Sequence, residues 1–216
     1  RAAEGADSLD VGGESTRPGA QPVSEAQEMD RVVPVIEALT KRVDVAISID
    51  TSKPAVMRAA VEAGAGMVND VNALRADQAV ETVAALGVPV CLMHMQGAPR
   101  SMQQNPHYRD VVSEVRDFLL QRSEVCIRAG IADDAIMLDP GFGFGKTLEH
   151  NLALLRGLPS LAKLRFPLLV GLSRKSMLGA LTGRDVEHRL AGSLAVVLES
   201  LHRGARILRV HDVAET

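Results

Sequence analysis

The chain has 216 residues, of which 46% are hydrophobic and 24% charged, which suits one domain with a sizeable core. Its formal net charge of −3 argues against nucleic acid or an anionic membrane as the main partner. No apolar run approaches the roughly 18 residues of a membrane span, and no signal-peptide pattern opens the chain. The cysteines, Cys91 and Cys126, favour reduced thiols, so we expect a cytoplasmic protein.

Short apolar runs alternate with longer helical patterns along the chain. Several runs are apolar throughout, as expected for strands that are buried on both faces of a parallel sheet. The predicted strands cover residues 8–11, 45–50, 66–70, 88–94, 135–139, 167–172 and 206–211. The predicted helices cover residues 24–40, 54–63, 77–86, 108–129, 148–155 and 186–202. No Gly/Ser linker or low-complexity tract divides these elements, so we predict a single domain over residues 1–216.

A parallel β/α array of this kind is either an open doubly wound sheet or an eight-stranded barrel. Polar residues follow nearly every predicted strand, whereas an open sheet concentrates them at one switch point. The sequence therefore predicts a TIM-type (β/α)8 barrel. Because the chain starts in a helical pattern (residues 1–4) and stops just after its last strand, we expect it to lack the first strand and loop and the last helix.

The stretch LDPGFGFGK, residues 138–146, carries the strongest local signal for a ligand site. An apolar strand ends at Asp139, and a glycine-rich loop with Phe142 and Phe144 follows, ending at Lys146. Such a loop lets the backbone approach a ligand closely. A tight turn with a capping aspartate would explain the same letters, but polar strand ends recur along the chain, and this recurrence favours a site.

Anion binding is predicted for the loop after the first strand. The run GGESTRPGA, residues 12–20, offers glycine amides, the Ser15 and Thr16 hydroxyls and the Arg17 guanidinium. An ordinary surface loop before a helix capped at Ser24 is the alternative. In DTSKP after the second strand, Ser52 can cap the next helix, which leaves Asp50 without a structural explanation.

The next two strand ends give weaker signals. Asn69 and Asp70 place an amide and a carboxylate together, and for Asp70 we favour a role in binding loop amides. Met93 and His94 follow in CLMHMQG. A metal site would need further ligands with matching geometry, so we favour packing for both, with Met93 a soft wall for a flat ring.

Two cationic segments close the chain. In GLSRKS, residues 171–176, a predicted helix begins with Arg174 and Lys175 in its first turn, where cations oppose the helix dipole and an anionic ligand would reconcile them. In the last predicted strand, Arg209 and His211 are two residues apart, so their side chains lie on the same face of the strand. This makes a second anion site plausible.

Together these motifs resemble the bacterial dihydropteroate synthase family. The segments that carry the resemblance are DVGGESTRPG, SIDTSKP, NDV, CLMHMQG, LDPGFGFGK, GLSRKSMLG and RVHDV, which occur in order along essentially the whole chain. The resemblance implies a TIM-type barrel that joins p-aminobenzoate to 6-hydroxymethyl-7,8-dihydropterin pyrophosphate and releases pyrophosphate. It also implies a sulfonamide target and a homodimer, with no nucleic-acid or membrane partner.

The resemblance further implies roles for individual residues. Asp50 and Lys175 would be catalytic. The pterin would be bound by Asp50, Asn69, Met93, Asp139, Phe144, Gly171 and Lys175. The pyrophosphate would be bound by Thr16, Arg17, Arg209 and His211, and the p-aminobenzoate by Arg17, Pro18, Lys175 and Ser176. Mg2+ would be the cofactor, but the family's magnesium-binding asparagine has no counterpart in this sequence, so no metal ligand is predicted here.

Two alternatives stay open at the level of sequence. One is another pterin-binding barrel, similar to the methyltetrahydrofolate:corrinoid methyltransferases, which would have no reason to assemble four cationic groups around two anions. The other is a pterin-binding module without catalytic activity. Release of pyrophosphate on mixing the substrates would separate the synthase from both.

Overall fold

Seven parallel strands alternate with seven α-helices in the computed structural model, which describes residues 1–17 and 19–216. The strands are β1 (Ser8–Gly12), β2 (Ala46–Asp50), β3 (Met67–Asp70), β4 (Val90–Met93), β5 (Ile136–Asp139), β6 (Leu169–Val170) and β7 (Ile207–Leu208). The helices are α1 (Glu25–Thr40), α2 (Pro54–Glu62), α3 (Ala79–Leu86), α4 (Val111–Arg128), α5 (Leu148–Leu161), α6 (Ser176–Thr182) and α7 (Leu190–His202). Every predicted strand is confirmed.

The strands follow one another in space in the order in which they occur in the chain. Strands β1 to β5 form one parallel sheet and β6 pairs with β7. A bridge between Leu138 and Leu168 joins the two sets, with the Leu138 amide donating to the Pro167 carbonyl at 3.0 Å. Pro167 has no N–H to give to a ladder, which explains why β6 begins later than predicted.

The strands curve round so that a side chain beside the last strand contacts a side chain of the first. Arg209, which directly follows β7, places its Nε 2.7 Å from an oxygen of Asp10 on β1. An open doubly wound sheet would reverse its strand order and hold its edges apart. The predicted TIM-type barrel is therefore confirmed as the fold class.

The helices deviate from prediction where packing overrides local breakers. The prediction ended α5 at residue 155, but this helix continues through Gly157 and Pro159 to Leu161, because Leu158 and Leu161 are fully buried. The predicted helix 186–202 instead divides into a short 3-10 turn, Val186–His188, and α7. Helix α1 has the predicted cap, in which the Ser24 side chain accepts from the Gln27 amide.

The core has two parts. The main cluster is built from Val, Leu and Ile side chains between the strands and the helices. A separate small cluster of Val71, Met93, Met95, Met102 and Phe144 lies at the carboxyl end of the barrel. No described helix is both long and apolar enough to cross a bilayer.

Asp70 gives a test of how the loop after β3 is held. This fully buried carboxylate accepts from the amides of Asn72 at 2.8 Å and Leu74 at 2.7 Å. Asp70→Ala leaves both amides without their acceptor, so it should lower the free energy of unfolding by about 2–4 kcal/mol. Urea denaturation measures this change. Asp77→Ala, at an exposed position nearby, should change it by less than about 0.5 kcal/mol. Equal losses in the two variants would contradict the structural role of Asp70.

Candidate active site

Charged and amide side chains from both halves of the barrel meet at the carboxyl ends of the strands. Strands β1, β2, β3 and β5 contribute Asp10, Asp50, Asn69 and Asp139, and the segments after β6 and β7 contribute Lys175 and Arg209. In a β/α barrel this rim is where active sites are built.

Arg209 bridges the two carboxylates on the first two strands. Its Nε lies 2.7 Å from Asp10 Oδ2, and its terminal nitrogen lies 3.0 Å from Asp50 Oδ2. Asp10 is held further by the Ser48 hydroxyl at 2.6 Å and the Asn69 amide at 3.3 Å. The guanidinium therefore offsets the repulsion between the carboxylates.

The pKa of Asp50 is raised even though Arg209 lies beside it. Burial and the neighbouring Asp10 raise its pKa to about 7, and Arg209 only partly opposes them. The Asp50 side chain is 10% exposed, whereas Arg209 is 47% exposed and faces solvent. Near neutral pH, Asp50 can therefore exist in either protonation state, which suits a group that responds to charge on a ligand.

Asp139 and Lys175 occupy the other side of the rim. The Asp139 carboxylate accepts from the Gly141 amide at 2.7 Å, and burial raises its pKa. Burial also lowers the pKa of Lys175 to about 8, with Asp139 opposing the shift and Arg209 adding to it. Lys175 Nζ lies 4.3 Å from the centre of the Phe144 ring, within cation–π distance.

The glycine loop after β5 is shaped by contact with the segment after β4. Gly141 has φ +70, and a Cβ atom there would lie only 1.9 Å from the His94 carbonyl oxygen. Only glycine fits this position. The loop therefore packs its backbone against His94 and presents Phe144 beside Lys175.

Apolar side chains line the space between these polar groups. Met93 at the end of β4 and Phe144 are buried in the small carboxyl-end cluster. Gly171, predicted to line the same pocket, lies next to Arg209, since a Cβ atom there would be in ordinary contact with the Arg209 Cβ at 3.8 Å. A flat heterocycle could contact apolar surface on its face and donors and acceptors at its edge.

A cleft of about 380 Å³ opens beside Asp50, between the loops at residues 14–22 and 95–100. Thr16, Ser52 and Asp50 are among its lining residues. Lys53, at the start of α2, ties the first of these loops down through Glu14, and it also pairs with the buried Glu28 of α1. The cleft leads from the anion-binding loop predicted at residues 12–20 to the carboxylates.

Several predicted site residues do not contact this cluster in the part of the chain that is described. The Arg17 and Ser176 side chains are exposed, with no hydrogen bond to the rim among residues 1–17 and 19–216. The His211 ring lies 3.1 Å from the Ser173 hydroxyl. Pro18, predicted to contact p-aminobenzoate, lies outside the described residues.

The structure corrects two local interpretations. Arg174 and Lys175 are not in the first turn of α6, because Arg174 adopts φ +58 and the helix starts at Ser176. Lys175 is instead the N-cap residue of α6, still at the positive end of the helix dipole, and the anion site there remains a prediction. Ser52 does not cap α2 but donates to Asp70, whose predicted role in binding loop amides is confirmed.

Asp10 is the site residue that sequence reasoning missed. It lies two residues before the end of β1, in register with Ser48 of β2. The prediction considered only polar residues at strand ends, and Asp10 lies within the strand. A carboxylate within a strand that belongs to a parallel sheet was the available signal, because such a group needs a partner.

Comparison with known proteins gives consistent matches. The family model described as "Pterin binding enzyme" matches residues 1–211. Dihydropteroate synthase of Haemophilus influenzae is 51% identical over 213 residues, which are 99% of this chain and 78% of that protein. The structure of the Yersinia pestis dihydropteroate synthase with a sulfonamide drug complex superposes with a TM-score of 0.97 at 51% identity, covering 100% of this chain and 78% of that one. The Xanthomonas albilineans enzyme in complex with 7,8-dihydropteroate gives 0.91 at 50% identity, covering 100% and 77%.

The raised pKa of Asp50 predicts a specific dependence of stability on pH. The folded chain holds the Asp50 proton more tightly than the unfolded chain does, so stability should fall as pH rises from 3.8 to about 7. Asp50→Asn removes this contribution, which is at most about 1.4 kcal/mol per pH unit. Urea unfolding across pH 4–8 should therefore show a shallower decline for Asp50→Asn than for the wild type. The exposed control Asp44→Asn should follow the wild type, and parallel curves for all three proteins would refute the shift.

Proposed function

The chain belongs to the pterin binding enzyme family, and on that premise we propose that it catalyses the dihydropteroate synthase reaction. It joins p-aminobenzoate to 6-hydroxymethyl-7,8-dihydropterin pyrophosphate. The bond between the pterin methylene and the pyrophosphate oxygen breaks, a carbon–nitrogen bond to the arylamine forms, and the arylamine loses a proton. The products are 7,8-dihydropteroate and pyrophosphate.

The observation that carries this proposal is the grouping of half-buried cations and carboxylates at the carboxyl end of the barrel, where Lys175 also contacts the Phe144 ring. A pterin has donor groups on one edge of a flat ring, and Asp139 offers a buried carboxylate at the start of the loop that carries Phe144. Lys175, above that ring, is a donor for the opposite edge. Asn69 and Met93 complete the proposed pterin subsite next to Asp50.

Arg209 supports the assignment of a pyrophosphate subsite. Its guanidinium is about half exposed while it bridges Asp10 and Asp50, so one face remains accessible to an incoming anion. An arginine fork suits phosphate oxygens. We assign Thr16, Arg17 and His211 to the same subsite, and Arg17, Pro18, Lys175 and Ser176 to p-aminobenzoate. The resemblance alone supports the parts of Arg17, Pro18, Ser176 and His211.

In the chemical step, we propose that positive charge develops on the pterin as pyrophosphate departs. Asp50, near its pKa, is placed to stabilise that charge when it is ionised, and Arg209 neutralises the leaving group. Lys175 then holds the ring while the neutral arylamine attacks the methylene, so that orientation supplies much of the rate. No covalent bond to the protein is needed.

Mg2+ is part of the function that the family resemblance implies. Within residues 1–17 and 19–216, no three His, Cys, Asp or Glu side chains group as metal ligands, and Asp10 and Asp50 already bind Arg209. These residues do not form a magnesium site on their own, and no step here is assigned to the metal. The homodimer likewise remains a prediction.

Turnover decides the proposed reaction. Incubating the chain with p-aminobenzoate and the pterin pyrophosphate should release pyrophosphate and 7,8-dihydropteroate in equal amounts, as measured by a coupled pyrophosphate assay and chromatography. The control omits p-aminobenzoate and should release little pyrophosphate. Pterin binding without release would favour a binding module. Methyl transfer from methyltetrahydrofolate to a corrinoid would favour the other pterin-binding barrel.

The pyrophosphate assignment predicts a selective effect of Arg209→Met. Loss of a charge-assisted contact should weaken binding of the pterin pyrophosphate by roughly 1.5–3 kcal/mol, whereas 6-hydroxymethylpterin, which lacks the anion, should lose much less. Calorimetry on both ligands measures the difference. Arg206→Met is the matched control, because Arg206 is exposed at the opposite end of the same strand. Equal losses for both ligands would assign Arg209 to holding Asp10 and Asp50 alone.

A further inference from the structure

Lys146 is the last residue of the glycine loop. It is a buried lysine that has no role in the proposed reaction. It is 3% exposed, and no carboxylate of the described residues forms a salt bridge with it. Its Nζ instead lies 2.8 Å from the Gly141 carbonyl, 3.1 Å from the Phe144 carbonyl and 3.0 Å from His94 Nδ1. The Lys146 amino group thus lies within hydrogen-bond distance of four acceptors, the fourth being the His94 carbonyl oxygen at 3.5 Å.

His94 is suited to accept that hydrogen bond. Burial and the neighbouring Lys146 lower the pKa of the imidazole to about 3, so the ring is neutral at physiological pH. Its face is fixed by an edge contact with Phe118, with ring centres 5.0 Å apart. The neutral ring can therefore offer Nδ1 as an acceptor to Lys146.

The stability of the fold does not explain a lysine at this position. Burial lowers the pKa of Lys146 to about 7, which means that folding disfavours its charged form. Because the unfolded chain keeps this proton up to a higher pH than the folded chain does, stability falls as the pH drops from 10.5 to about 7, and the loss persists below that. An apolar side chain would avoid this penalty, so the lysine needs another explanation.

The contacts of Lys146 lead directly to two groups of the proposed pterin subsite. Gly141 gives its carbonyl to Lys146 and donates its amide to Asp139 at 2.7 Å. Phe144 also gives its carbonyl to Lys146, and its ring lies beneath Lys175. One ammonium thus holds the residue that orients Asp139 and the residue that forms the apolar wall.

We propose that Lys146, braced by His94, is the positioning residue of the pterin subsite. Its amino group, held inside the glycine loop by the Gly141 and Phe144 carbonyls, sets the Asp139 carboxylate and the Phe144 ring before the pterin arrives. Lys146 itself does not touch the substrate. The inference rests on the proposed function, since it assumes that this subsite binds a pterin.

The rest of the loop has anchors of its own, so loss of Lys146 should have a local effect. Tyr108 donates to the Gly145 carbonyl at 2.8 Å, and the Gly143 amide donates to Asn151 at 2.8 Å. Neither contact involves Lys146. They hold the path of the chain when the Gly141 and Phe144 carbonyls lose their donor.

The first test is Lys146→Met, which keeps the length of the side chain and removes the donors. Titration with 6-hydroxymethylpterin should show at least tenfold weaker binding, and the KM for p-aminobenzoate at saturating pterin substrate should change less than twofold. Lys163→Met, at an exposed lysine, is the matched control and should bind the pterin as the wild type does. A pterin affinity within twofold of wild type in Lys146→Met would overturn the inference.

A pair of His94 variants tests the same geometry without removing the lysine. Asparagine can offer an oxygen near the position of Nδ1, whereas leucine fills the space without an acceptor. We expect His94→Asn to keep pterin affinity within threefold and His94→Leu to lose at least tenfold. If His94 only packs against Phe118, leucine should serve at least as well as asparagine, and that result would overturn the inference.

The wild-type titration separates this inference from the proposed function. If the wild type fails to bind 6-hydroxymethylpterin, the proposed function falls and the inference falls with it. If the wild type binds and turns over but Lys146→Met behaves identically, only the inference falls. Should Lys146→Met lack cooperative unfolding, the His94 pair decides by the outcomes stated above.

Discussion

The salt bridge from Arg209 to Asp10 and Asp50 is the interaction on which the carboxyl end of the barrel depends. It connects the last strand to the first two by distances of 2.7 and 3.0 Å. Two carboxylates held this close would repel each other and take up protons without a cation between them. The same guanidinium that completes the ring of strands therefore also sets the charge state of the site. Arg209 therefore both joins the last strand to the first two and belongs to the proposed site. For this reason the site includes residues from both ends of the chain.

Much of this arrangement could be predicted from the sequence because parallel strands make a simple pattern. Continuous apolar runs ending in Asp50 and Asp139 gave the strands, their polar ends and the barrel. The errors have physical causes. Helix α5 runs through Pro159 because burial of Leu158 and Leu161 outweighs one lost backbone hydrogen bond, and periodicity alone does not report burial.

Residues that act across long separations in sequence were harder to predict. Asp10 has meaning only once it is known that Arg209, at the other end of the chain, reaches it. Lys146 ends the glycine loop after β5, yet its proposed role depends on His94, which directly follows β4. Local patterns located the rim correctly, but they could not say which polar groups face the pocket and which hold the loops behind it. That division is a property of packing.

Four buried ionisable groups lie together at the carboxyl end of the barrel. Asp50 and Asp139 have raised pKa values, and Lys146 and Lys175 have lowered ones, in each case chiefly because burial disfavours the charged form. A fold selected for stability alone would place apolar side chains there, as it does in its main core. A ligand that brings donors to Asp50 and Asp139 and an acceptor to Lys175 would supply polar partners to three of these groups, whereas Lys146 already has its partners inside the glycine loop. Binding would then stabilise the folded state at the positions where the empty site opposes it.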